Sequence, residues 1–225
     1  MGGLGNRKEY NMSKYEFVSK KEYSPIRNEL EKIIKEVQNI LRKEFTFQFK
    51  LVGSGNRHLI TREENGNKGF DFDYNLILNQ YFENPKYVKE KIINAVNQAI
   101  KGTRYDYAEN STTSITIKVK NIKKSLIEHS CDFAIVYYPD DAEDNYFKYI
   151  RYNKNQNQYI WSIRHNSYNI DDKLEWLREN IENYWNELKY DYYLELKNTN
   201  KDPNKHSFQL FHEAVNNMFN EYYDE

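Results

Sequence analysis

Two segments of this chain, residues 45–52 and 70–78, alternate large apolar side chains with polar ones. Because successive side chains of a strand point to opposite faces, a period of two predicts a strand with one buried face. The apolar positions are Phe45, Phe47, Phe49 and Leu51 in the first segment and Phe70, Phe72, Tyr74 and Leu76 in the second. The sequence therefore predicts a sheet whose aromatic face is covered by other parts of the chain.

Segments with helical periodicity surround these strands. Ser24-Pro25 predicts a helix start, with Ser24 as N-cap and Pro25 as the first helical residue, and the apolar stripe that follows ends near Arg42. Asn84-Pro85 predicts a second helix in the same way. Further strands are predicted at about residues 114–119, 130–138, 146–152 and 158–164. Two helices close the chain, and the linker Asn198–His206 separates them.

These elements predict an α/β (α+β) fold in which a mixed sheet is flanked by helices and is followed by a mostly helical C-terminal lobe. Residues 1–22 are polar and have no sustained periodicity, so they are expected to form a flexible or loosely docked leader. Residues 23–139 are expected to form the core. The change of character after Pro139 assigns residues 140–225 to the C-terminal lobe.

Composition excludes several classes of protein. The chain has 225 residues, with 33 Lys and Arg against 34 Asp and Glu, so no global basic field attracts it to nucleic acid or to anionic membranes. No stretch approaches the roughly 20 continuous apolar residues of a membrane span. Cys131 is the only cysteine, which excludes an internal disulfide and a cysteine-rich zinc site. The N-terminus has no apolar signal-peptide core, and the protein is therefore expected to be soluble and cytoplasmic.

Asp71 and Asp73 share one face of the second predicted strand. Two carboxylates about 6–7 Å apart along a strand repel each other unless a cation lies between them. Mg²⁺ suits this arrangement because it prefers oxygen ligands. The alternative is that both residues belong to the solvated polar face of an edge strand.

Asp132 lies in the apolar segment Cys131–Tyr137. A charged group in such a strand costs several kcal/mol unless it is paired or binds a metal. A third carboxylate on an adjacent strand would complete a site for two metal ions. Two alternatives remain open: Asp132 pairs with an arginine or lysine of the C-terminal lobe, or Glu128 is the third carboxylate instead.

The turn Gly53-Ser54-Gly55 follows the first strand and precedes a predicted helical segment. Such a turn leaves backbone N–H groups and a hydroxyl available for an anion at a helix start. Arg57 and Arg62 lie just beyond it and could add positive charge against phosphate oxygens. The alternative is an ordinary loop.

The order Gly53-Ser54, then Asp71-Phe72-Asp73, then Asp132 resembles the polymerase-β-like nucleotidyltransferase superfamily over about residues 26–138. The resemblance implies that Gly53 and Ser54 bind the β- and γ-phosphates of a nucleotide. It implies that Asp71 and Asp73 hold two Mg²⁺ ions, for which Mn²⁺ can substitute. It also implies that Asp132 helps to bind the catalytic metal and to activate the acceptor hydroxyl.

The activity implied by this resemblance is transfer of a nucleoside monophosphate from an NTP, with ATP favoured, to an acceptor hydroxyl with release of pyrophosphate. The acceptor is a small molecule, a second nucleotide, an RNA end or a protein hydroxyl, and the C-terminal lobe is expected to complete the cleft. The net charge of −1 disfavours a large nucleic acid. The alternative is a catalytically silent module on the same fold that binds nucleotides or proteins.

Overall fold

The computed structural model describes residues 14–139, 146–165 and 170–223. Contacts divide this part of the chain into two compact units. The larger unit contains residues 17–62, 66–139 and 146–165, and the smaller contains residues 14–16, 63–65 and 170–223. Most of the predicted leader and the acidic loop after Pro139 lie outside the described residues.

The secondary structure alternates strands and helices in its first half and is helical at its end. The strands are β1 (Tyr15–Phe17), β2 (Phe47–Val52), β3 (Thr61–Glu63), β4 (Phe70–Leu78), β5 (Glu109–Asn110), β6 (Ile115–Asn121), β7 (Leu126–Tyr137), β8 (Tyr146–Asn153) and β9 (Gln158–His165). The helices are α1 (Lys20–Leu41), α2 (Gly53–Asn56), α3 (Pro85–Ala99), α4 (Asp171–Asn180), α5 (Tyr184–Glu187), α6 (Glu195–Thr199) and α7 (Ser207–Tyr223). None of the helices within the described ranges combines the length and the apolarity needed to cross a bilayer.

The larger unit is built on a seven-stranded mixed sheet. Five strands lie in the order β2-β4-β7-β6-β5, and β8 and β9 extend from the end of β7. β4 and β7 are parallel, and the other pairs are antiparallel. The predicted α+β fold, with a mixed sheet flanked by helices, is confirmed.

One face of the sheet is covered by α1 and α3. The apolar stripes of these helices and the alternate residues of β4 and β7 belong to one core cluster. In β4 the buried residues are Phe70, Phe72, Tyr74, Leu76 and Leu78. The residues between them point to the opposite face, so the period of two separates an apolar face from a face that carries Asp71 and Asp73.

The first helix begins earlier than predicted. α1 starts at Lys20, and its N-cap is Ser19, whose Oγ accepts the N–H of Glu22 at 3.3 Å. Pro25 is the sixth residue of the helix rather than the first, so the predicted start at Ser24-Pro25 is wrong. Residues 15–17 and 20–22, which the sequence assigned to a flexible or loosely docked leader, form β1 and the beginning of α1.

The hairpin of β8 and β9 belongs to the sheet and not to the C-terminal helices. Val136 and Tyr137 of β7 pair with Tyr149 and Lys148 of β8, which places the hairpin in the larger unit. The border predicted after Pro139 instead assigns this hairpin to the C-terminal lobe. The difference arises because strand pairing is a long-range property that a local change of composition does not report.

The smaller unit contains α4 to α7. The first of the two predicted C-terminal helices is interrupted, because Ile181 is extended and Asn183 adopts a left-handed conformation with φ 59°. A π-helical segment, Leu188–Leu194, then joins α5 to α6. The described part of this unit is mostly helical, as the sequence predicted.

Candidate active site

The parallel pairing of β4 and β7 brings two predicted carboxylates side by side. Asp73 of β4 lies directly opposite Asp132 of β7, and Asp71 lies opposite Ser130. Neighbouring strands are about 4.8 Å apart, and residues two apart along a strand are separated by about 6–7 Å. Asp71, Asp73 and Asp132 therefore share one face of the sheet at adjacent positions.

Burial of the intervening residues determines which face this is. Phe72 in β4 and Cys131 and Phe133 in β7 are fully buried in the core beneath the helices. Because side chains alternate, the three aspartates must point away from that core. Asp132 is thus not an isolated charge inside the apolar core, although the sequence around it is almost entirely apolar.

The electrostatics of Asp73 reflect this crowding. Burial, followed by the charges of Asp71 and Asp132, raises the pKa of the Asp73 carboxyl to about 7. Each of these causes disfavours the ionised form, and a nearby cation would favour it. The cluster of Asp71, Asp73 and Asp132 therefore favours the binding of a cation.

Hydroxyl groups hold Asp132. Ser114 Oγ donates to Asp132 Oδ1 at 3.1 Å, and Thr116 Oγ1 donates to the same oxygen. Thr116 lies opposite Asp132 in the antiparallel pair of β6 and β7. The sequence left open a pairing of Asp132 with an arginine or lysine of the C-terminal lobe. In the structure, the donors to Asp132 Oδ1 are instead two hydroxyl groups.

Sequence reasoning missed both of these hydroxyl residues. Ser114, Thr116 and Lys118 alternate with apolar residues, which was a signal that they share one face. That signal does not say which strand lies beside them. Only the register of β6 on β7 identifies Asp132 as their neighbour.

Glu128, the competing third carboxylate, lies on the same strand as Asp132 but four residues before it. This separation is about 13 Å along the strand. Glu128 is exposed, and its Oε1 accepts a hydrogen bond from Asn121 at 3.2 Å. The register places Asp132, and not Glu128, beside Asp73.

The Gly53-Ser54 turn approaches the carboxylates closely. Gly53 has φ 62°, and a Cβ at this position would lie 2.9 Å from Asp73 Oδ2. The preceding residue, Val52, pairs with Asp73 across β2 and β4. A side chain at position 53 would therefore force the Asp73 carboxylate to move, in addition to straining the backbone.

The segment after this turn differs from the prediction. α2 is a single turn of four residues, Gly53–Asn56, and the chain then turns away at His58, which has φ 58°. So short a helix has too few aligned peptides to provide a substantial dipole for an anion. Phosphate contacts from Gly53 and Ser54 would therefore depend on the turn itself.

The two arginines lie in different surroundings. Arg57 directly follows α2 and is partly buried. Arg62 lies in β3, and its guanidinium forms an ion pair with Glu22 of α1. The role of Arg57 and Arg62 in phosphate binding stays a prediction.

The three carboxylates match the donor chemistry of Mg²⁺ or Mn²⁺, because hard divalent cations prefer oxygen ligands. Gly53 adds a space beside Asp73 Oδ2 that any larger residue would fill. Within the described ranges, however, no group of three His, Cys, Asp or Glu side chains is gathered closely enough to form a ligand set. The residues fit the metal chemically, and their role as ligands stays a prediction.

No protein-family model matches the sequence, and no curated protein matches it significantly. Solved structures do match. Vibrio cholerae DncV, a cyclic AMP-GMP synthase described as a prokaryotic cGAS homolog, matches with a TM-score of 0.60 and 11% identity over 88% of this chain and 67% of that chain. DncV with bound 3′-deoxy GTP matches with a TM-score of 0.61 and 10% identity over 88% of this chain and 66% of that chain.

A DncV mutant in complex with ATP, GTP and 5MTHFGLU2 matches with a TM-score of 0.58 and 10% identity, over 88% of this chain and 68% of that chain. The chain thus spans about two thirds of the length of these proteins. At such low identity the likeness concerns the fold. The chain has the fold of the polymerase-β-like nucleotidyltransferases, to which DncV belongs, and the predicted resemblance is confirmed at that level.

Proposed function

We propose that this protein is a metal-dependent nucleotidyltransferase that transfers a nucleoside monophosphate from an NTP to an acceptor hydroxyl. The observation that carries the proposal is the pairing of Asp73 with Asp132 on one face of the sheet, next to Asp71 and against Gly53. In the reaction, the acceptor oxygen bonds to the α-phosphorus and the bond to the β-phosphate oxygen breaks. Pyrophosphate leaves, and the hydroxyl proton passes to the Asp132 carboxylate and from there to water.

Each site residue has a role in this proposal. Asp71, Asp73 and Asp132 would hold two Mg²⁺ ions, which supply charge stabilisation at the α-phosphate and lower the pKa of the acceptor hydroxyl when bound. Asp132 would also help to bind the catalytic metal and to activate the acceptor hydroxyl. Gly53 and Ser54 contact the β- and γ-phosphates, and Arg57 and Arg62 add positive charge there. The protein contributes mainly positioning and electrostatic stabilisation.

The acceptor to test first is a second nucleotide. The DncV structures are of a cyclic AMP-GMP synthase, and one of them holds the linear intermediate pppA(3′,5′)pG. The net charge of −1 also disfavours a long nucleic acid, which would be attracted by a basic surface. We therefore propose ATP as the donor and ATP or GTP as the first acceptors to examine.

The test incubates the purified protein with α-labelled NTPs, singly and in pairs, with Mg²⁺ or Mn²⁺, and follows labelled products and pyrophosphate. We expect turnover by the wild type and a loss of at least about 100-fold in Asp73→Asn and in Asp132→Asn, because a missing metal ligand removes several kcal/mol of transition-state stabilisation. The matched control is Glu128→Gln, which removes an exposed carboxylate from the same strand and should retain activity.

Two outcomes would contradict the proposal. Near-normal turnover by Asp73→Asn would refute the role of the carboxylates. Nucleotide binding without any turnover by the wild type would favour the silent module on the same fold. The crowding of three carboxylates speaks against that module, because like charges raise the free energy of a site that only binds an anion.

A further inference from the structure

A path of hydroxyl groups leads from the turn between β5 and β6 to Asp132. Ser111 Oγ and Thr116 Oγ1 are 2.9 Å apart, Thr116 donates to Asp132 Oδ1, and Ser114 donates to the same oxygen at 3.1 Å. We propose that Ser114 and Thr116, supported by Ser111, are positioning residues that fix the orientation of the Asp132 carboxylate. The catalytic consequence rests on the proposed function, whereas the orientation itself does not.

Two donors on one oxygen restrict the carboxylate. Both hydrogen bonds end on Oδ1, so rotation of the Asp132 carboxylate would break both of them. Oδ2 would then be the oxygen with which Asp132 holds a metal ion or contacts an acceptor hydroxyl. Ligating carboxylates are commonly oriented in this way by hydrogen-bonded neighbours.

The donors themselves have little freedom. Ser114 and Thr116 are buried, and buried hydroxyls adopt directions that satisfy their hydrogen bonds. Thr116 is also β-branched, which restricts its χ1 angle. Because the single proton of Thr116 is directed at Asp132, the proton between Ser111 and Thr116 belongs to Ser111, and each donor in such a chain strengthens the next.

The turn that carries these hydroxyls is held in place from several directions. The Ser111 N–H donates to the Ser114 carbonyl at 3.1 Å, and the Tyr152 N–H donates to the Thr112 carbonyl at 2.7 Å. The buried Lys89 of α3 donates its Nζ to the Ser111 carbonyl at 2.7 Å. The hydroxyl path therefore starts from a turn that is fixed to both α3 and β8.

The test compares four variants with the wild type. Ser114→Ala combined with Thr116→Val removes both donors with little change of volume, and Ser114→Ala alone removes one. Thr116→Ser keeps its hydroxyl, and Thr113→Val removes an exposed hydroxyl from the same turn as a control. The readouts are kcat and KM for the NTP, the affinity for Mn²⁺ without nucleotide by paramagnetic resonance, and the Asp132 side-chain torsions in crystal structures.

We expect the double variant to lose about 10–100-fold in kcat and in Mn²⁺ affinity, as is typical when support for a metal ligand is removed. The KM for the NTP should change little, because the proposal gives these hydroxyls contacts with Asp132 and not with the nucleotide. Asp132 should rotate in the double variant. Thr116→Ser should restore nearly full activity, and Thr113→Val should match the wild type.

Wild-type kcat and Mn²⁺ affinity in the double variant would overturn the proposal. If the double variant does not fold, Ser114→Ala alone is tested by the same measurements. A decrease in kcat and in Mn²⁺ affinity then supports the proposal, and wild-type values overturn it. A wild type that turns over no nucleotide would refute the proposed function but not the positioning. In that case the crystal structures decide: a rotated Asp132 in the double variant supports the positioning, and an unchanged Asp132 overturns it.

Discussion

Gly53 brings the backbone into contact with the carboxylate cluster. Its φ of 62° lies in the left-handed region, which non-glycine residues adopt at a cost of about 1–2 kcal/mol. Its missing side chain also leaves room for Asp73 Oδ2. Gly102 is a natural comparison, because its φ is 80° and a Cβ there would have no neighbour within 4 Å.

We expect Gly53→Ala to destabilise the protein and to abolish its transfer activity, because the new methyl group displaces the Asp73 carboxylate. Gly102→Ala should cost only about 1 kcal/mol, which is the price of the left-handed backbone, and should keep its activity. Urea unfolding and NTP turnover measure the two effects. Equal behaviour of the two variants would show that the close approach to Asp73 has no consequence.

At the scale of secondary structure, α1 illustrates a conflict between two local signals. Ser19 caps the helix, yet Pro25 lies inside it and cannot donate a hydrogen bond to the carbonyl of Lys21. Tertiary packing outweighs this loss, since the helix buries Tyr23 before the proline and a long apolar stripe after it. Pro25 itself is exposed, so its ring contributes little to the core.

Pro25→Ala is therefore expected to raise the free energy of unfolding by about 1–2 kcal/mol. The gain comes from a restored helical hydrogen bond, less the entropy that proline removes from the unfolded chain. Chemical denaturation of the variant and the wild type measures the difference. The neighbouring change Ser24→Ala restores no hydrogen bond and should alter stability by less than about 0.5 kcal/mol. A Pro25→Ala variant no more stable than the wild type would contradict this account.

Acid stability is a property of the whole molecule to which one buried histidine contributes. His129 of β7 is buried, and its Nε2 lies 3.0 Å from the hydroxyl of Tyr105. Burial, followed by the charge of Arg104, lowers the pKa of His129 to about 4, although Glu29 and Glu128 act in the opposite direction. The folded protein therefore keeps this imidazole neutral while the unfolded chain protonates it at about pH 6.5.

Since the unfolded state binds this proton first, the contribution of His129 to stability is complete above about pH 6.5 and is lost as the pH falls toward 4. The loss is at most about 3 kcal/mol. We expect His129→Gln, whose amide can still bond Tyr105, to show a smaller decrease in the free energy of unfolding between pH 6.5 and 4. Denaturation curves of both proteins across this range provide the measurement, and parallel pH profiles would refute the assignment.

The sequence predicted correctly those helices and strands whose ends carry a local signal, such as a capping residue, a proline or the limit of an alternating pattern. β4 spans Phe70–Leu78 as its alternation predicted, and α3 begins at Pro85 with Asn84 as N-cap. Local signals failed where packing chose between alternatives. Ser19 and Ser24 are both suitable N-caps for α1, and the structure uses Ser19. No glycine or proline near Ile181 predicts the break between α4 and α5.

For the site, the sequence alone determined that Asp71 and Asp73 share a face, because a period of two is a property of any single strand. The tertiary structure decided that Asp132 and not Glu128 lies beside Asp73, and that Ser114 and Thr116 hold it. These neighbours depend on the register of β7 against β4 and β6. Register is established by contacts between segments far apart in the chain, which no local pattern contains.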